Sequence, residues 1–270
     1  MAIDLILIEI IYLFIITPIL IVILHFKIGE YPEEHPRSDE PKKEIIHITV
    51  LYSLLIVGTI IIVLIMLSAG IDLTNRYGLE YNLLVFFLFP VFCIYIPYAL
   101  IRFVDKPPWT LEDQGLITEI KQPIVWIYVI CITIGWGVAQ ILLLAATGML
   151  TTVIVPWWFF FLVILYNIFL EEYLFRAIIL TKFERITTQG KAIFLHAIIF
   201  GLAHIPINFF FTVLMGQPFN LIGGIIVFIY QTLGGYILGI AYAKTRSLIP
   251  CLITHYLSNY FVLLVLIYPW

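Results

Sequence analysis

Three groups of polar side chains sit at four-residue spacing in stretches otherwise built from apolar residues. In Glu171-Glu172-Tyr-Leu-Phe-Arg176 an acid precedes a base by four residues, the order that favours pairing on one helix face. Glu171 is rotated by about 100° from Glu172 at 3.6 residues per turn. One carboxylate can therefore pair with Arg176 while the other faces a cavity. In Phe200-Gly-Leu-Ala-His204 an aromatic ring and an imidazole share a face, and in His255-Tyr-Leu-Ser-Asn259 an imidazole and an amide do. A carboxylate, two imidazoles and an amide suffice to hydrolyse an amide with water as nucleophile. The carboxylate takes the proton, one histidine orients the water, and the remaining donors face the oxyanion of the tetrahedral intermediate.

The elements that carry these groups are read from composition. Of 270 residues, 63% are hydrophobic and 11% charged, with a mean hydropathy of +1.09. A soluble domain lacks the polar surface to cover so much apolar material. A spanning helix needs about 20 apolar residues, and eight such segments are predicted, at 3–26, 45–69, 83–104, 122–147, 152–181, 190–205, 219–243 and 248–266. The expected fold is thus all-α: a polytopic helical bundle of about eight transmembrane helices in one membrane domain spanning 1–270, with the chemical motifs within 150–265. The runs lack two-residue alternation, which excludes a β-barrel. The first segment carries Asp4 and no basic region before its apolar run, and reads as a retained span. A net charge of −3 gives no footprint for nucleic acid. Cys93, Cys131 and Cys251 lie in apolar segments without CxxC spacing and read as small buried residues.

Lysine and arginine set the orientation. Twelve of the fourteen fall in odd-numbered loops: Lys27, Arg37, Lys42 and Lys43 in the first, Arg102, Lys106 and Lys121 in the third, Lys182, Arg185 and Lys191 in the fifth, and Lys244 and Arg246 in the seventh. Both termini are then expected outside, with the basic loops cytoplasmic. Measured from those loops by helical rise, Glu171 lies about 21 Å deep, His204 about 20 Å and His255 about 14 Å. Ordinary tilt brings spans five, six and eight together in one layer.

Glu9 reads as a locally paired carboxylate, and His25 and His47 as interfacial residues. His196, two turns before His204, reads as a packing group, although it could belong to the site. Gly235 and Gly239 read as close-packing positions. The simplest competing account is polar glue between helices, which explains one such residue better than a whole set at one depth. Zinc bound by Glu171, Glu172, His204 and His255 is a second, although no local zinc spacing is present. A transporter is a third, although inverted repeats and paired broken helices are missing. The sequence also lacks HExxH, GxSG and GxGD signatures.

Taken in order, Glu171-Glu172-x-x-x-Arg176, Phe200-x-x-x-His204 and His255-x-x-x-Asn259 resemble the three motifs of type II CAAX prenyl endopeptidases. These belong to a wider family of membrane proteases and bacteriocin-processing proteins. The resemblance implies a glutamate protease that removes the last three residues after a prenylated cysteine. It implies that Glu171 and His204 activate water, that His255 and Asn259 form the oxyanion hole, and that Glu172, Arg176 and Phe200 support them. A prenylated C-terminal peptide would be the substrate, approaching from the cytoplasmic leaflet, and no metal or cofactor is expected. An idle member acting by binding, for example in immunity to a secreted peptide, is the remaining alternative.

Overall fold

The computed structural model describes residues 11–71, 86–105, 109–116, 118, 122–147, 165–214 and 221–267. Helix occupies part of every predicted span among them. A π-helical turn at Tyr12–Ile16 leads into α1 (Thr17–Phe26), followed by α2 (Pro41–Ser68), α3 (Phe86–Val104) and α4 (Pro123–Thr147). The next helix begins as α5 (Leu165–Glu172), passes through a π-helical stretch at Tyr173–Leu180 and continues as α6 (Thr181–Glu184). Then come α7 (Gln189–Leu214), α8 (Leu221–Thr245) and α9 (Leu248–Ile267). Among the described residues, three helices are long and apolar enough to cross a bilayer: α2, α3 and Gly224–Thr245 of α8. Glu9, Arg76, Lys106, Lys121 and the predicted start of span five lie outside the described residues.

Local chemistry accounts for several boundaries. Pro41 opens α2, where its fixed φ suits the first helical position and its missing N–H is not needed. The same helix ends at Gly70, whose φ of +70° lets Gly70 N–H reach Leu67 O (3.1 Å) and Ile71 N–H reach Met66 O (3.0 Å). Pro90 and Pro97 adjoin the π turns of α3 at Val91–Tyr95 and Leu100–Val104, as expected where a ring removes a backbone donor. No proline or glycine accompanies the π stretch at Tyr173–Leu180.

One core joins α1, α2, α4 and the helices of the carboxy-terminal half through residues such as Leu24, Leu51, Val125, Leu174, Ile178, Ile193 and Ala241. On α2 the buried set Ile48, Leu51, Leu55, Ile62 and Met66 recurs every three to four residues or a multiple, while Ile46, Val50, Val57, Ile61 and Leu64 are exposed. Apolar residues on both faces are what lipid on one side and protein on the other require. α7 and α8 approach closely at glycines. A Cβ on Gly235 would lie 3.0 Å from the Phe200 ring, and one on Gly239 3.2 Å from His196 Nδ1.

The basic ends of the helices differ from the sequence expectation. Lys182, counted as a loop residue, is fully buried, and His47, expected at the interface, is only 8% exposed. Residue counts cannot see that Glu44 and Asp105 on neighbouring helix ends draw Lys182 inward. Lys244 is buried too, donating to Ile28 O (2.6 Å) and Gly29 O (3.1 Å). The extended segment after α1 is strapped across these ends. Ser38 N–H donates to Arg185 O (2.9 Å), Arg37 to Glu184 O (3.2 Å), and Gln122 to Glu30 O (2.8 Å). His35 Nε2 in this strap faces Glu184 Oε2 at 3.5 Å.

Three outcomes follow. A Cβ on Gly201 would fall 2.2 Å from Thr232 Oγ1 and 2.9 Å from Phe228 O, so Gly201→Ala should separate α7 from α8 and cost about 1–3 kcal/mol. Gly190→Ala, whose methyl would meet only the His25 ring at 3.8 Å, should leave the thermal midpoint in detergent nearly unchanged. Burial, with Arg246 beside it, holds the His35 pKa down to about 4. A base with a depressed folded pKa binds fewer protons folded than unfolded, so stability should fall as pH drops from about 6.5 towards that value. His35→Gln should flatten the decline in thermal midpoint between pH 7 and pH 5.

Candidate active site

The site begins at the junction where α5 becomes π-helical. Glu172 is the last residue of α5, and both it and Arg176 are fully buried. Arg176 Nε lies 3.1 Å from Glu172 Oε2, the pairing expected from the four-residue spacing. The guanidinium also stands over the Phe200 ring of α7, 4.2 Å from its centroid. That contact offsets part of the cost of burying a cation whose nitrogens find no hydrogen-bond acceptor among the described residues.

Glu172 has a second partner that the sequence did not announce. Its Oε1 accepts a 2.7 Å hydrogen bond from His255 Nδ1–H on α9. A single buried carboxylate thus joins its own helix to the last one, with Arg176 on one oxygen and His255 on the other. The bond also sets the His255 tautomer: with Nδ1–H given to the carboxylate, Nε2 accepts in the neutral ring and donates only in the protonated one.

His204 is placed by α7. Its Nδ1–H donates to Phe200 O one turn earlier (2.8 Å), which assigns the lone pair of the neutral ring to Nε2. Pro206, two residues on, lies inside the helix and cannot supply a backbone donor to Leu202 O. The Phe200 ring packs against His204 with centroids 4.7 Å apart and edge-on against Phe175 at 4.9 Å. Phe200 therefore touches both the buried cation and the imidazole.

Glu171 is partly buried, in contrast to Glu172. It lies next to Glu172 in the chain, on a helix whose Arg176 meets the Phe200 ring beside His204. Glu172, Arg176, Phe200, His204 and His255, from three helices, thus form one neighbourhood, with Glu171 beside Glu172. Asn259, one turn beyond His255, is exposed and enters none of these contacts among the described residues. His196 is fully buried, its ring beside Phe175 and Phe200, which is a packing position behind the site. Among the described residues, the group of ligand-type atoms close enough to hold a metal is elsewhere, at Glu44, His47 and Asp105.

Residues 152–261 match the family model described as type II CAAX prenyl endopeptidase Rce1-like. The family read from the three motifs is supported. Every motif residue from Glu171 to Asn259 falls inside the matched stretch, which covers less than half of the chain. The match supports a protease, and with the three long apolar helices it supports an integral membrane protein. Comparison with curated proteins found no match, and neither did comparison with solved structures.

Truncating one partner of a buried pair strands the other. Arg176→Met should therefore destabilise the fold by about 3 kcal/mol or more, and the Arg176→Met/Glu172→Gln double variant by less than the sum of the singles. Thermal unfolding of the three variants in one detergent measures both quantities. Additive losses would show that the pair is not energetically coupled.

Proposed function

We propose that the protein is an intramembrane endopeptidase that removes the C-terminal tripeptide from prenylated CAAX-type proteins or peptides, using water activated by Glu171 and His204. The observation that carries this reading is the meeting of three helices around one buried pair: His255 on Glu172 (2.7 Å), Arg176 over the Phe200 ring (4.2 Å), and that ring against His204 (4.7 Å). In the reaction, water held between Glu171 and His204 Nε2 loses its proton to the carboxylate and attacks the scissile carbonyl. Protonated His255, through Nε2–H, and Asn259 donate to the oxyanion, and the proton held by Glu171 passes to the leaving amine. Glu172 and Arg176 hold His255 in place. The bundle crosses the membrane eight times and opens on the cytoplasmic side, where a prenyl chain lies in the acyl region with its peptide near the headgroups. No resident metal takes part, since Arg176 already supplies the positive charge beside Glu172.

The Glu172–His255 bond favours a second reading. A carboxylate that orients a histidine through Nδ1 prepares Nε2 to take a proton, so His255 would be the base and Glu171 a water-positioning group. The two glutamates distinguish the readings.

Purified protein in detergent should cleave a farnesylated CAAX peptide and leave the unprenylated peptide intact. Glu171→Gln and His204→Ala should abolish cleavage while the thermal midpoint holds. Asn259→Ala should lose on the order of 10²–10³ in rate, as for one oxyanion donor. If Glu172→Gln proves more damaging than Glu171→Gln in protein of equal stability, the base is His255. Cleavage that continues after exhaustive dialysis against a chelator supports the metal-free site. Loss restored by zinc alone would move the chemistry to a metalloprotease.

A further inference from the structure

Eleven residues after Glu171, at the far end of the same continuous helix, Lys182 is buried among groups from two other helices. Its Nζ donates to Glu44 Oε2 (2.8 Å) and Asp105 Oδ2 (2.5 Å) and stands 3.3 Å from His47 Nδ1. Glu44 and His47 belong to α2, and Asp105 directly follows α3. Asp105 Oδ1 also faces His47 Nδ1 at 3.0 Å, so that nitrogen serves either the carboxylate or the ammonium. Arg185 takes the other oxygen of Glu44 (3.2 Å), and the Trp109 ring lies beside both cations, 5.1 Å from Lys182 Nζ and 5.5 Å from the Arg185 guanidinium. With His47 neutral, two cations and two carboxylates cancel. The ammonium fills the centre of the same three groups that could otherwise ligate a metal.

Burying four charges is a weak route to stability, because well-packed apolar residues serve as well or better. What such a cluster supplies is a fixed geometry. The helix it grips needs one. The π-helical stretch Tyr173–Leu180 separates the glutamates from Lys182, and neither proline nor glycine accounts for it. A π turn shifts the register of everything beyond it relative to α-helix. Both of its ends are tied down by buried polar contacts: Glu172 to His255 at one end, Lys182 to Glu44 and Asp105 at the other. Tyr173 is held as well, its hydroxyl donating to Gln114 Oε1 (2.7 Å). The partners of Lys182 all lie outside the stretch that matches the family, residues 152–261.

We propose that Lys182 is a positioning residue: its grip on Glu44 and Asp105 fixes the π-helical register and so sets the placement of Glu171 and Glu172. The part of the proposal that concerns catalysis rests on the protease reading. The part that concerns the helix does not.

The test uses Lys182→Met, which keeps length and removes charge, Lys182→Arg, which keeps charge, and Asp105→Asn as a milder change should Lys182→Met fail to fold. Backbone hydrogen–deuterium exchange is followed across 165–184 in the full-length protein in detergent, together with cleavage of a farnesylated CAAX peptide. Lys182→Met and Asp105→Asn should raise exchange throughout the helix, including the peptide holding Glu171 and Glu172. The kcat should fall about tenfold to a hundredfold, as for small misplacements of reacting groups, with KM changed little. Lys182→Arg should recover most of the loss. Exchange that rises only next to residue 182, or a kcat equal to wild type, would overturn the proposal. If wild-type protein cleaves no peptide, the protease reading fails and the exchange pattern alone decides whether Lys182 sets the register.

Discussion

A carboxylate in a low-dielectric interior must be paired, and the arrangement of the carboxy-terminal half depends on how Glu172 is. The Glu172 side chain has no exposure to solvent, so its charge is tolerable only with partners on both oxygens. Arg176 on the same helix meets Oε2, and His255 on α9 meets Oε1. The first contact is local and follows from spacing. The second ties together segments 83 residues apart in sequence and brings the His255 ring to the level of the glutamates. The Phe200 ring then covers the guanidinium and rests against His204, so α7 joins the same neighbourhood. Three helices thus meet around one buried acid and one buried base.

That constraint explains why two adjacent glutamates can have different work. Rotation around the helix sends Glu172 into the bundle, where it is committed to its partners, and leaves Glu171 only partly buried. In the proposed reaction the committed carboxylate positions His255 and the less buried one holds the water. The histidines divide similarly. His204 gives Nδ1–H to a backbone carbonyl and His255 gives its own to a carboxylate. These choices fix which nitrogen of each ring is left for chemistry.

Much of this was legible in the residues, and the remainder was not for identifiable reasons. The all-helical class follows from apolar runs too long and too regular for strands. The Glu172–Arg176 pair follows from helical spacing, and the three motifs carry enough type and order to suggest a family. The Glu172–His255 bond could not be read, because nothing in a sequence reports which of two rotated carboxylates reaches another helix. Lys182 and His47 were misplaced for a related reason. Counting basic residues assigns them to a loop or an interface, whereas Glu44 and Asp105 on other helices draw them inward. The π stretch at Tyr173–Leu180 has no local signature at all. What the structure shows instead is a buried polar contact at each of its ends.

The central claim, that Glu172 and His255 hold the motif helix against α9, is tested most directly by a double-mutant cycle. Thermal unfolding of wild type, Glu172→Gln, His255→Gln and the double variant gives the coupling between the two side chains. A buried charge-assisted bond predicts a coupling of about 1 kcal/mol or more, the double variant losing less than the sum of the singles. Losses that simply add would contradict the account, because the two helices would then be held together by something other than this carboxylate.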